Sequence, residues 1–166
     1  MATEAWALLR HDHEELEHAL RVLVECNWPE SELRWTLDGM RASFGAHAEA
    51  EAAVLRRVIA DPRTPAALHT LVSHVVAAHV TQQAVLDALV EARPGTVAWR
   101  ELVTQLRTLM LEHDLNERRM MPALRKLLAP AAHAALEASY AVARHQMLGM
   151  MQAGVAPRAA PELQLD

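Results

Sequence analysis

Histidine and glutamate recur at a spacing of four residues, His13 with Glu17, His47 with Glu51 and His113 with Glu117. On a helix of about 3.6 residues per turn, such a pair lies roughly 40° apart on one face, so imidazole and carboxylate project to the same side. Neutral imidazole nitrogens combined with hard carboxylate oxygens form a ligand set for a divalent metal. A fourth histidine, His79, stands on the remaining long helical stretch with Gln83 four residues on. The chemistry therefore depends on whether these side chains meet.

The elements that must position them follow from caps and breakers. A first helix capped by Thr3 runs to about Asn27, with Trp6, Leu9, His13, Leu16 and Leu20 recurring on one face. Asn27-Trp28-Pro29 ends it, and Ser31 starts a second helix that closes near Ala60. Thr64 and Pro65 supply a cap and first-turn pair for a third helix through about Ala92, and Arg93-Pro94-Gly95 forms the next turn. Thr96 caps a fourth helix, which Pro122 should kink or interrupt, and Pro130 separates it from a fifth segment of about Ala131 to Met151. No strand pattern occurs. The expected fold class is all-α, an antiparallel up-down-up-down four-helix bundle with an additional C-terminal helix. It would occupy residues 1–153 as one metal-binding helical bundle, leaving 154–166 as a flexible tail.

Depth can be checked on that bundle. His13, His47, His79 and His113 each lie about 14 to 17 residues from the adjoining turns, which at about 1.5 Å per residue agrees to within a helical turn. All four can share one level near the middle. A single histidine on an apolar face is more often a satisfied core or boundary residue than a ligand, and His11, His18, His69, His133 and His145 are read that way. Four at one depth, two of them with strongly placed carboxylates, point to a metal, because buried imidazoles and carboxylates are costly unless something satisfies them together. Two residues remain open as additions. His74 is five residues from His79, about 140° round the helix. Glu17 stands in the acidic run Glu14-Glu15-Leu16-Glu17 and fits a solvated face better than a ligand role.

Composition removes other classes of function. With 166 residues, 52% of them apolar, the chain is long and hydrophobic enough for one core. A formal charge of −5 with no basic stripe argues against nucleic acid or an anionic membrane as partner. No apolar run approaches the roughly 18 residues of a membrane span and no signal peptide is evident, so a cytoplasmic protein is expected. Cys26 is the single cysteine. It can form no internal disulfide or thiolate cluster and reads as a small core residue near a helix end. The paired Glu-x-x-His motifs of ferritin-like proteins and the H-E-x-x-H of zinc proteases are both absent.

The elements Asp12-His13-Glu14, His47-Ala48-Glu49-Ala50-Glu51, Ala78-His79 and Glu112-His113-Asp114-Leu115-Asn116-Glu117, followed by Met121-Pro122-Ala123-Leu124, resemble in their order the hemerythrin-like (HHE cation-binding) family. The resemblance spans about residues 5 to 128. It implies a non-haem diiron centre with two oxo- or hydroxo-bridged iron ions. His13, His47, His79 and His113 would be its terminal imidazoles, and Glu51 and Glu117 its bridging carboxylates. Oxygen-carrying members supply five histidines, including an H-x3-H pair on the third helix. One imidazole fewer here leaves a further coordination position for water or an exogenous ligand.

The function this implies is binding or sensing of oxygen, nitric oxide or iron, with a small diatomic or peroxide ligand and a protein partner for signalling or electron transfer. An oxidoreductase turning over peroxide or nitric oxide at the same centre is the alternative. A bundle holding another divalent metal for structure is the second.

Overall fold

Proline and threonine set the helix starts in the computed structural model, which describes residues 6–25 and 27–152. Thr3, Cys26 and the tail from Gly154 lie outside the described residues, so the readings made of them rest on sequence. Five helices follow in order, α1 (Ala7–Glu25), α2 (Glu30–Ala60), α3 (Ala66–Glu91), α4 (Val97–Leu127) and α5 (Pro130–Gln152). The described residues contain no strand, and no helix among them is long and apolar enough to cross a membrane.

Thr96 caps α4 as its sequence position suggests, its hydroxyl oxygen accepting from the Trp99 amide at 3.2 Å. Gly95 takes φ 77°, the left-handed conformation that the preceding turn requires. The other two starts differ from expectation. Pro29 and Pro65 occupy the cap positions of α2 and α3 and offer no side-chain acceptor. Ser31 therefore falls inside α2, and Thr64 instead donates its hydroxyl to the Val58 carbonyl near the end of α2, at 2.5 Å. Its hydrogen bond closes the preceding helix and does not open the next.

α1 packs against α2 and α4, α3 packs against the same two helices, and α5 lies chiefly along α2 with a lighter contact to α4. Side chains of α5 also reach the start of α1. Glu137 accepts the Trp6 amide at 2.7 Å, and His133 accepts the Trp6 indole N–H at 3.1 Å.

The apolar core is divided lengthwise. One cluster gathers Leu16, Leu20, Leu37, Phe44, Leu86, Trp99 and Leu106. Another gathers Leu55, Val58, Val72, Val75, Met120 and Leu124, and a third sets Trp6, Leu9, Val54 and Tyr140 together. Along α2 the large buried apolar side chains stop after Phe44, give way to His47 and Glu51 among small alanines, and resume at Val54; along α4 they stop after Leu106 and resume at Met120. Each buried leucine contributes on the order of 1.5–3 kcal/mol. The flanking clusters thereby carry the stability and fix the level at which the polar layer sits.

Pro122 does not interrupt α4, which continues to Leu127. The proline removes one backbone donor and crowds the carbonyl four residues back. It lies on the exposed face, where water can take up the freed carbonyl, while Met120 and Leu124 on either side are fully buried and hold the helix axis. Replacing it should restore the missing hydrogen bond. Pro122→Ala is expected to raise the unfolding free energy by about 1–3 kcal/mol in chemical denaturation. A lower value would mean that the proline is needed to seat Met120 and Leu124.

Candidate metal centre

His47, Glu51, His79, His113 and Glu117 are all buried between those clusters, none more than 7% exposed. His13 joins them from α1 with its side chain 14% exposed. All six sequence candidates therefore converge. Glu51 Oε2 lies 3.1 Å from His79 Nε2, 3.3 Å from His113 Nε2 and 3.6 Å from His47 Nε2. Glu117 Oε2 lies 3.3 Å from His13 Nε2, which is itself 3.3 Å from His47 Nε2. Two groups of ligand atoms, each within 4.8 Å of one another, could hold a metal ion: His47, Glu51, His79 and His113, and His13, His113 and Glu117.

These short separations are mostly not hydrogen bonds. Both oxygens of Glu51, Glu117 Oε1 and both ring nitrogens of His79 and of His113 are buried without a hydrogen-bond partner. The atoms are close, yet they do not aim at one another as donor and acceptor. Buried polar atoms left without partners are costly, and a cation among them could satisfy several at once.

The electrostatics agree. Burial, reinforced by the neighbouring imidazoles, overrides the attraction of Glu51 and keeps His47 well below the ordinary histidine pKa, so it is a neutral ligand at pH 7. Burial works against the charge on Glu51, but His113, His79 and Glu117 outweigh it and hold its pKa well below the usual carboxylate range. Burial and then the charge of Glu51 push Glu117 well above that range. Without a cation, burial and their proximity disfavour a second negative charge on the pair.

Hydrogen bonds at the far side of two rings fix their tautomers. Burial and the adjacent Asp12 drive the Tyr140 phenol far above its ordinary pKa, so it stays protonated and donates to Asp12 Oδ2 at 2.5 Å. Its single proton is then committed, and the 3.0 Å contact with His47 requires Nδ1–H of the ring to donate to the phenol oxygen. That leaves the His47 Nε2 lone pair facing the cluster. His13 is set the same way, its Nδ1–H donating to Asp114 Oδ1 at 3.2 Å. Asp114, held at a pKa of about 2 by His13 and by Arg118, is always an acceptor at neutral pH. Arg144 completes the outer contacts, with its guanidinium 2.6 Å from Asp12 Oδ1.

The remaining candidates do not reach the cluster. His74 is exposed, as its angle from His79 implies. Glu17 is not on a freely solvated face either. Its side chain is 26% exposed, is ion-paired to Arg107 of α4 at 2.7 Å, and lines the cavity beside the histidines without joining either ligand group. His11, His18, His69 and His145 are exposed, and His133 is buried with its Trp6 partner.

Compared with family models, with curated proteins and with solved structures, the chain matches none. The case for metal binding rests on this geometry. It also adds residues whose roles sequence reasoning left unassigned, namely Asp12, Asp114, Tyr140 and Arg144. Tyr140 is the only tyrosine of the chain, but nothing in its spacing ties α5 to a histidine on α2.

Tyr140→Phe removes the acceptor for His47 and one donor to Asp12. Loss of about 1–3 kcal/mol of stability is expected, together with a metal affinity lower by about 10- to 100-fold. Unchanged affinity in a metal competition titration would show that packing alone orients His47.

Proposed function

We propose that this chain is a hemerythrin-like non-haem diiron protein. His13, His47, His79 and His113 serve as terminal imidazoles, Glu51 and Glu117 serve as bridging carboxylates, and an antiparallel up-down-up-down arrangement of α1 to α4 presents them. The observation that carries the reading is the convergence of buried, unpartnered imidazole and carboxylate atoms on two groups that share His113. The two groups adjoin at His113, so ions held by them would lie side by side, and a mixed set of imidazoles and carboxylates suits iron better than a tetrahedral structural zinc. The alternating helix direction has its own support in residue numbering. The cavity beside the histidines is lined by Leu16, three residues after His13, and Gln82, three after His79, but by Phe44 and Met110, each three before its histidine.

Bound here, two irons would supply one-electron redox change and an open coordination position for a small ligand. The residues of the chain supply the rest. His47 and His13 are held in the Nε2-ligand tautomer by Tyr140 and Asp114. Glu117 gives up its proton when a cation takes its place. The apolar clusters on either side exclude bulk water from the carboxylate end. With one approach open at the histidine end, the best account is binding or sensing of oxygen, nitric oxide or iron, its output carried to a partner through helix packing.

A second reading is turnover of peroxide or nitric oxide at the same centre, and the size of that approach favours its peroxide form. Its cavity of about 170 Å³ exceeds what a diatomic needs.

The ligand assignment separates three glutamates that all follow a histidine by four. Glu51→Ala and Glu117→Ala should each strip metal and cost a few kcal/mol through unsatisfied buried imidazoles and lost metal linkage. Glu17→Ala should keep a full metal complement, because only its ion pair with Arg107 is lost. Metal analysis of the three purified variants decides the matter. Equal loss of metal in Glu17→Ala would overturn the assignment.

A further inference from the structure

The layer next to the histidines has one member out of character. Leu16, Phe44 and Met110 line the cavity as apolar neighbours of His13, His47 and His113, whereas the corresponding neighbour of His79 is Gln82. Gln82 is 1% exposed. Its amide nitrogen donates to the Leu109 carbonyl at 3.2 Å, while its carbonyl oxygen is buried and has no donor. An amide in this position with a leucine-like alternative available is costly, since an unpaired buried acceptor forfeits roughly 1–3 kcal/mol. The hydrogen bond to Leu109 fixes which end of the amide is which, so the unpaired group is an acceptor and calls for a donor.

The cavity itself says what kind of donor fits. Its volume of about 170 Å³ is several times the roughly 30 Å³ that one water occupies in the liquid. Its wall combines apolar side chains with Gln82, the histidines and Glu17, one oxygen of which is ion-paired to Arg107, and its remaining charged residues, Arg10, Glu14, Asp114 and Arg118, belong to helix faces that reach solvent. A diatomic would leave most of this space unfilled and has no proton to donate to Gln82. A molecule with a short apolar body and one O–H group meets both demands.

We infer that this cavity is a binding site for a small O–H-bearing molecule with a compact alkyl body, an alcohol or an alkyl hydroperoxide, whose hydroxyl proton is accepted by Gln82 beside His13, His47 and His113. The inference rests on the reading of those histidines as a metal centre and names the class of ligand that would approach it. Gln82 is then a specificity-determining residue, and the apolar trio of Leu16, Phe44 and Met110 sets the size of the alkyl group.

Calorimetric titration of the protein as isolated, and of protein exchanged into redox-silent zinc, with tert-butyl alcohol, tert-butyl hydroperoxide and hydrogen peroxide tests this. Both tert-butyl probes should bind saturably and hydrogen peroxide at least tenfold more weakly. Tighter binding of the hydroperoxide than of the alcohol would assign the ligand to the peroxide class, and the reverse to alcohols. Gln82→Leu should weaken the tert-butyl probes about tenfold, the worth of one hydrogen bond to a buried amide. Met110→Trp, which fills the cavity and leaves Gln82 in place, should abolish binding. No saturable binding to the unmodified protein, or equal affinity in Gln82→Leu, would overturn the inference and leave Gln82 satisfied by water. Metal analysis of the same samples keeps the two readings apart, since metal without alcohol binding sinks only this one, and alcohol binding without metal sinks only the diiron reading.

Discussion

Four imidazoles and two carboxylates set into an apolar interior have to be compensated, and the protein supplies no internal compensation for most of them. Taking a carboxylate out of water costs several kcal/mol unless it is paired and hydrogen-bonded. Here Glu51 has both oxygens buried and unpartnered, with three Nε2 atoms within 3.6 Å. The imidazoles and carboxyls lie too close to ignore one another and are too poorly aligned to bond. A cation at the shared focus is the simplest arrangement that relieves this.

The rest of the molecule can be understood as the frame for that polar layer. Apolar clusters above and below it bury enough surface to set helix positions without help from the site, which lets the layer be strained in its own interactions. Outside the buried cluster, Asp114 and the Tyr140–Asp12–Arg144 chain orient the His47 and His13 rings by fixing where their protons sit. α5 is therefore more than a cover on α2. It contributes the phenol that fixes His47, and through Trp6 it holds the start of the helix that carries His13.

Much of this was legible in the sequence because its causes are local or periodic. The five helices follow from proline and glycine placement, and the convergence of His13, His47, His79 and His113 follows from equal distances to successive turns. Glu51 and Glu117 follow from a four-residue spacing. Errors arose where one residue could satisfy two different neighbours. Thr64 could cap the helix ahead or close the helix behind, and its hydroxyl went to Val58. Pro122 breaks an isolated helix but not one anchored on both sides by Met120 and Leu124. Glu17 was rightly set apart from the ligand groups by its acidic run, but the approach of Arg107 from α4 gives it an ion pair where a solvated face was expected. Tyr140 and Arg144 were out of reach, since their contacts with Asp12 span 128 and 132 positions and no periodicity encodes them.

Two iron ions are proposed to hold the buried histidines and glutamates together. Iron quantification and an optical spectrum of protein purified aerobically test this most directly. The account predicts about two irons per chain, the number a bridged pair of ions requires, with near-ultraviolet bands from an oxo bridge that bleach on reduction. Protein that purifies folded and metal-free, or with a single spectroscopically silent ion such as zinc, would contradict it.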